Sequence, residues 1–157
     1  MSPLHPEYLN NLAEAKDFEL FVQDCLLRTK NFYIGIYKHK YFQIRYGESH
    51  SGLEVKLDKL SKSTGRLFIE TAERTSVYDK WKPSGIYHEY SPWLFAVGTE
   101  QKFWLFFTKH LRQYAELPNQ YEEITASHQT AKGFLLSGEK ADILCGYIWE
   151  STNQKNQ

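Results

Sequence analysis

The sequence predicts a single domain that mixes helices and strands, an α/β or α+β fold. Three observations carry this. Near the start, Phe18, Phe21, Val22, Cys25 and Leu26 recur at helical spacing on one face. Two runs with a period of two follow, Leu53–Asp58 and Arg66–Thr71. Further on, the apolar runs Trp93–Val97 and Lys102–Phe107 flank Gly98-Thr99-Glu100-Gln101, a hairpin pattern. With 157 residues, 41% of them hydrophobic and 16% aromatic, the chain is long and apolar enough for one core. Residues 1–10 hold two prolines and read as a lead-in, and the Asn/Gln-rich 150–157 read as a flexible tail.

The first helix is expected over Leu12–Arg28, opened by Asn11 with Glu14 three residues later. Glu19 falls at the edge of its apolar stripe, facing the core margin, whereas Asp24 lies nearly opposite. Phe32–Tyr37 and the alternating Tyr41–Tyr46 read as strands. In the central runs, Leu53, Val55 and Leu57 share one face and Glu54, Lys56 and Asp58 the other. If the two central strands pair through their aliphatic faces, Glu70 comes near Glu54 and Lys56. Pro83-Ser84-Gly85 predicts a helical turn through about Tyr90. Thr108 is expected to cap a helix over Lys109–Glu116. Pro118–Lys132 reads as loop, Gly133–Leu136 as a short strand, and Ser137 as the cap of a last helix reaching Trp149.

Composition excludes several classes. Nineteen basic and nineteen acidic side chains give a formal net charge of zero, so only local charge speaks for a nucleic-acid partner. The two cysteines, Cys25 and Cys145, match no metal spacing and read as reduced thiols of a cytoplasmic protein. No segment has the length or apolarity of a signal peptide or membrane helix, so no membrane partner is expected. There is no phosphate-binding loop, dinucleotide fingerprint or nucleophile elbow.

Local charge is uneven. No acidic residue occurs between Cys25 and Gly47, a stretch that carries Arg28, Lys30, Lys38, Lys40 and Arg45 among Phe32, Tyr33, Tyr37, Tyr41 and Phe42. Cations interleaved with aromatic rings suit phosphates and unstacked bases, although a basic solvent face of a strand pair has the same pattern. Immediately afterwards comes Glu48, then Glu54-Val55-Lys56 on a predicted strand, then Glu70 on the next. A Glu-x-Lys triplet occurs by chance in about every second chain of this size. The other triplet here, Glu14-Ala15-Lys16, lies on the predicted helix, where positions two apart point about 200° away from each other. On a strand they share a face. Carboxylates beside an ammonium can hold a divalent ion next to a phosphate; they also form ordinary salt bridges on exposed strands.

A helix, then an acidic residue before a strand, then Glu-x-Lys on that strand resembles the PD-(D/E)xK nuclease superfamily. The run GESHSGLEVKLDKLSKSTGRLFIETAER is similar to uncharacterised bacterial and phage proteins with that fold. The resemblance spans about residues 15 to 110 and implies a restriction-endonuclease-like mixed sheet flanked by helices, built as helix, three strands, helix, strand. It implies hydrolysis of DNA phosphodiesters with Mg²⁺ or Mn²⁺. In that reading Glu48 and Glu54 are catalytic acids and metal ligands, Lys56 is the catalytic lysine, and the Val55 carbonyl adds a ligand. Glu19 takes the place of a first-helix carboxylate that some members contribute. Glu70 is added as a ligand from the strand geometry alone. Arg28, Lys30, Lys38, Lys40 and Arg45 are expected to meet the DNA backbone. A homodimer is expected, since cutting both strands takes two sites. The alternative is a catalytically inactive module of this fold that binds nucleic acid or protein.

Overall fold

A computed structural model describes residues 6–33, 35, 39, 41–42, 45, 52–89 and 92–152. The first helix, α1, covers Pro6–Lys30. It starts before the expected Leu12 because Pro6 stands at its first position, where a missing N–H costs nothing. Residues 6–10 are therefore helix and not lead-in. Phe18, Val22, Cys25 and Leu26 are buried, as their spacing predicts.

Four strands form a mixed sheet: β1 (Leu53–Leu57), β4 (Leu94–Gly98), β5 (Lys102–Phe107) and β8 (Tyr147–Glu150), in the order β1-β4-β5-β8. The β1–β4 pair is parallel, from Leu53 opposite Leu94 to Leu57 opposite Gly98. The β4–β5 hairpin and the β5–β8 pair are antiparallel. Four others form an antiparallel sheet in the order β3-β2-β7-β6: β2 (Arg66–Glu73), β3 (Lys82–Pro83), β6 (Glu123–Thr125) and β7 (Ala131–Ser137). Short helices punctuate the strands: α2 (Ser61–Thr64), α3 (Thr108–Glu116) and α4 (Gly138–Leu144), with a 3₁₀ turn at Gly85–Tyr87. The mixed α+β class expected from the sequence is thus present.

The layers follow from which residues bury together. Leu53 and Val55 of β1, Leu94 and Ala96 of β4, and Phe103 of β5 pack against Phe18, Val22, Cys25 and Leu26 of α1. The opposite faces of β4 and β5, with Phe95, Val97, Trp104 and Phe106, meet Leu67 and Ile69 of β2 and Phe134 and Leu136 of β7. The mixed sheet is therefore a middle layer between a helix and a second sheet. Burial on both faces explains why β4 reads Leu-Phe-Ala-Val-Gly without alternation, every residue being buried.

Five expectations change. The stretch Pro118–Lys132, expected as loop, holds β6 and the start of β7. The central strands β1 and β2 do not pair with each other: β1 joins β4, and β2 joins β7 and β3. Each has an apolar face demanding its own cover, and α2 between them carries the chain from one layer to the other. Of the two strands expected over 32–46, the described residues show none: Phe32, Tyr33 and Gly35 are irregular, while Tyr41, Phe42 and Arg45 are helical. An Arg45 Nη1 bond to the Tyr41 hydroxyl at 3.2 Å spans one helical turn there. The last helix stops at Leu144, and Tyr147–Glu150 pairs with β5, because Trp149 stacks on Phe103 at 5.6 Å. Ser137 does cap that helix, accepting from Lys140 N. Thr108 lies inside α3; the capping position is Phe107, which supplies no side-chain acceptor. Among the described residues, no helix is long and apolar enough to cross a membrane.

Candidate functional site

Among the described strands β1 stands at one end of the mixed sheet's order, and its two faces divide as period two requires. Leu53 and Val55 go under α1. Glu54 stands opposite Phe95, on the face that opens toward the second sheet, and is only 8% exposed. Two residues along the same strand, Lys56 places its Nζ 2.9 Å from Glu54 Oε1. The sequence-predicted pair is therefore formed. Val55 between them sends its side chain into the helix layer.

Glu19 lies on α1, the helix that covers the Leu53 and Val55 face of β1. Burial pushes its carboxyl above the usual glutamate range, and the Lys56 ammonium, followed by that of Lys16, works against the shift. Lys56 is thus electrostatically coupled to two carboxylates, one beside it on the strand and one on the covering helix. The placement of Glu19 at the margin of the apolar stripe is what the sequence periodicity indicates. Lys59 anchors the same end of α1 through ion pairing to Glu14 and a bond to Asn11.

Glu70 is not part of the cluster. Its neighbour Ile69 is fully buried in the inter-sheet core, so Glu70 points out of the other face of the antiparallel sheet. There its Oε1 accepts a 2.7 Å bond from the Ser84 hydroxyl. The expectation rested on β1 pairing with β2, and that pairing does not occur. Asp58, next on the Glu54 face, has a structural role. Its Oδ1 accepts from Ser61 N at 3.1 Å and its Oδ2 from Phe68 N at 2.8 Å, joining the end of β1 to α2 and β2. Glu48 lies outside the described residues, as do Lys38 and Lys40.

The described members of the basic stretch also stand apart. Arg28 pairs with Asp24 one helical turn back. The Lys30 ammonium sits 4.5 Å from the centre of the Tyr147 ring on β8. β8 is the far edge of the sheet, three strand spacings or roughly 14 Å from β1. The reason is the run of α1, whose Glu14 and Asn11 meet Lys59 just past β1 while Thr29 and Lys30 meet Tyr147 of β8. Sequence proximity to Glu54 therefore does not become proximity in space. Arg45 bonds Tyr41 locally.

Chemically, the pair on β1 offers one buried carboxylate and one ammonium, with the half-buried Glu19 carboxyl coupled to Lys56 electrostatically. Among the described residues, no group of three or more Asp, Glu, His or Cys converges on a metal-sized site. Two carboxylates are nonetheless the protein share typical for Mg²⁺, which keeps waters and takes phosphate oxygens for its other positions. The thiols offer little nucleophilic chemistry, since burial pushes both Cys25 and Cys145 above the ordinary cysteine range. Sequence reading misses a second concave region, at the start of α3, because Trp93 and Phe107 look like core residues in a strongly apolar hairpin. They are in fact 53% and 42% exposed.

Compared with known proteins, the chain matches no family model, no curated protein and no solved structure.

Proposed function

We propose that the chain hydrolyses DNA phosphodiesters with a divalent cation, in the manner of the PD-(D/E)xK nucleases. The observation that carries this is the Glu54–Lys56 contact at 2.9 Å on β1, with the desolvated carboxyl of Glu19 electrostatically coupled to the same ammonium.

Glu54 and Glu19 are the described residues that hold Mg²⁺ or Mn²⁺ in this reading, with Glu48 and the Val55 carbonyl as the remaining ligands implied by the resemblance. The bound ion supplies Lewis acidity toward a phosphoryl oxygen and lowers the pKa of a water. Glu54 fixes the Lys56 side chain against the strand. Lys56 places its positive charge beside Glu54 on β1, where it would stabilise charge developing on a phosphoryl group. An isologous dimer would present one such site to each DNA strand. A non-catalytic module binding nucleic acid or protein is the second reading. It is favoured by one observation: Glu70, Arg28 and Lys30 all lie away from the cluster.

The test pairs two assays on wild type, Glu54→Gln and Lys56→Met. One follows nicking of supercoiled plasmid in Mg²⁺ or Mn²⁺; the other titrates Mn²⁺ by calorimetry. The expected result is Mn²⁺ binding and nicking by the wild type, nicking lost in both variants, and Mn²⁺ binding weakened in Glu54→Gln. Mn²⁺ binding with DNA retention but no nicking selects the second reading. Neither binding nor nicking in the wild type removes the metal site.

A further inference from the structure

α1 is apolar on two sides. Phe18, Val22, Cys25 and Leu26 face the mixed sheet and are buried. Leu9 and Leu27 each lie nine residues from Phe18, two and a half helical turns, and therefore on the diametrically opposite side. They are 47% and 41% exposed, and Leu20 between them is 51% exposed. With Ala13, Lys16 and Gln23, these leucines succeed one another at spacings of four, three, four, three and four residues. That alternation is the seam of a coiled coil, the stripe that one helix lays against another. A helix packed on a sheet needs a single apolar face, so a second one at seam spacing marks a docking surface.

The order of residues along the seam indicates the partner. Set antiparallel against itself about a twofold at the level of Phe18, the stripe places Leu9 opposite Leu27, Ala13 opposite Gln23 and Lys16 opposite Leu20, each pair occurring twice. Leucines meet at both ends, and the smallest side chain faces a long one. Charge agrees with this arrangement. Asp17 is exposed beside the seam, and at 1.5 Å per residue it comes about 4.5 Å along the axis from Lys16 of the second copy. Parallel pairing instead sets Lys16 against Lys16, two like charges in an apolar seam. A polar residue in a seam fixes orientation at a cost in stability.

We infer that α1 pairs antiparallel with α1 of a second copy of the chain through Leu9, Lys16, Leu20 and Leu27. The helix is already held by the core, so pairing does not have to offset the cost of forming it. From Leu9 to Leu27 the seam is about 27 Å long. Helix faces of that length alone make an interface at the low end of the size range, under about 1,200 Å² in total, so the dimer is of micromolar strength. The seam includes neither Glu54 nor Lys56, and a dimer built on it forms whether or not DNA is cleaved.

Sedimentation equilibrium of the full chain from about 1 to 100 µM tests association. The wild type is expected to pass from monomer to dimer within that range. Leu20→Ala removes half a leucine's burial from each copy, and should raise the dissociation constant about ten- to hundredfold. Leu20→Glu should leave only monomer. Leu20 is exposed, so both variants should keep the circular dichroism spectrum of the wild type. Disulfide formation reads orientation, with the wild type as the control for Cys25 and Cys145. A mixture of Leu9→Cys and Leu27→Cys should cross-link on oxidation, whereas neither variant alone should do so. A wild type that stays monomeric at about 100 µM overturns the antiparallel dimer. So does a dimer that survives Leu20→Glu, or cross-linking of either cysteine variant alone as readily as the mixture.

Discussion

Asp58 is where the two sheets are tied together, and replacing it tests that statement directly. The residue follows β1. Its Oδ1 accepts from Ser61 N at 3.1 Å, and its Oδ2 accepts from Phe68 N at 2.8 Å inside β2. Ser61 in turn donates its hydroxyl to the Asp58 carbonyl at 2.7 Å. One carboxylate therefore sets the entry into α2 and the position of β2 relative to β1. Hydrogen bonds to a charged acceptor contribute about 1.5–3 kcal/mol each, and loss of a helix-start acceptor costs about 0.5–2 kcal/mol. Because both amides share one side chain, their losses do not simply add, and Asp58→Ala should cost about 3 kcal/mol. For a domain of this size that is a fall in melting temperature of about 6–12 °C. Asp58→Asn keeps one acceptor oxygen but turns an NH₂ toward the other amide, so it should recover less than half of the loss. Thermal unfolding followed by circular dichroism reads both. A fall under about 1 kcal/mol in Asp58→Ala would refute the argument, since the two amides would then be equally well served by water.

Three further outcomes follow from other sites. A Cβ on Gly133 would sit 2.0 Å from the Ile69 carbonyl, within the central β2–β7 pair, so Gly133→Ala should cost about 3 kcal/mol or more and reduce soluble yield. Gly65 is the control: it has φ 65, and a Cβ there would meet no atom within 4 Å, so Gly65→Ala should cost only the left-handed backbone penalty of about 1–2 kcal/mol, read by urea unfolding. Glu19 predicts a pH dependence. Its folded carboxyl titrates above the ordinary value of 4.5, so the folded state holds the proton more tightly than the unfolded chain does. Stability should therefore fall as pH rises from about 4.5 through the raised pKa, Glu19→Gln should abolish that fall, and Lys56→Met should deepen it, measured by urea unfolding between pH 4 and 8.

Much of this architecture can be read from the residues, and the limits have physical causes. The β4–β5 hairpin, the helix stripe from Phe18 to Leu26 and the Ser137 cap depend on short-range patterns, and each is present. What periodicity cannot assign is partnership. The aliphatic faces of β1 and β2 look equally ready to pair with each other, but Leu53 and Val55 bury under α1 while Leu67 and Ile69 bury against β4 and β5. Choosing a neighbour is a decision of the whole core, so Glu70 could be placed on its own face but not beside the correct strand.

The same distinction explains the candidate site. Glu54 and Lys56 share a face because they are two residues apart on a strand, a local fact, and their contact follows from it. Glu19 lies 35 residues from Glu54 in sequence and is visible there only as a carboxylate at a helix margin; its electrostatic coupling to Lys56 depends on α1 packing over β1. The run of α1 also removes Arg28 and Lys30 from the site, carrying them toward β8, although they are closer to Glu19 in sequence than Lys56 is. The concave region at the start of α3 is hidden for a further reason. Trp93 and Phe107 have the composition of buried strand residues, and only the end of the β4–β5 hairpin, where the sheet stops covering them, leaves their rings exposed beside Thr108. Exposure that depends on where a layer ends is set by the packing of the layers, which no window of sequence contains.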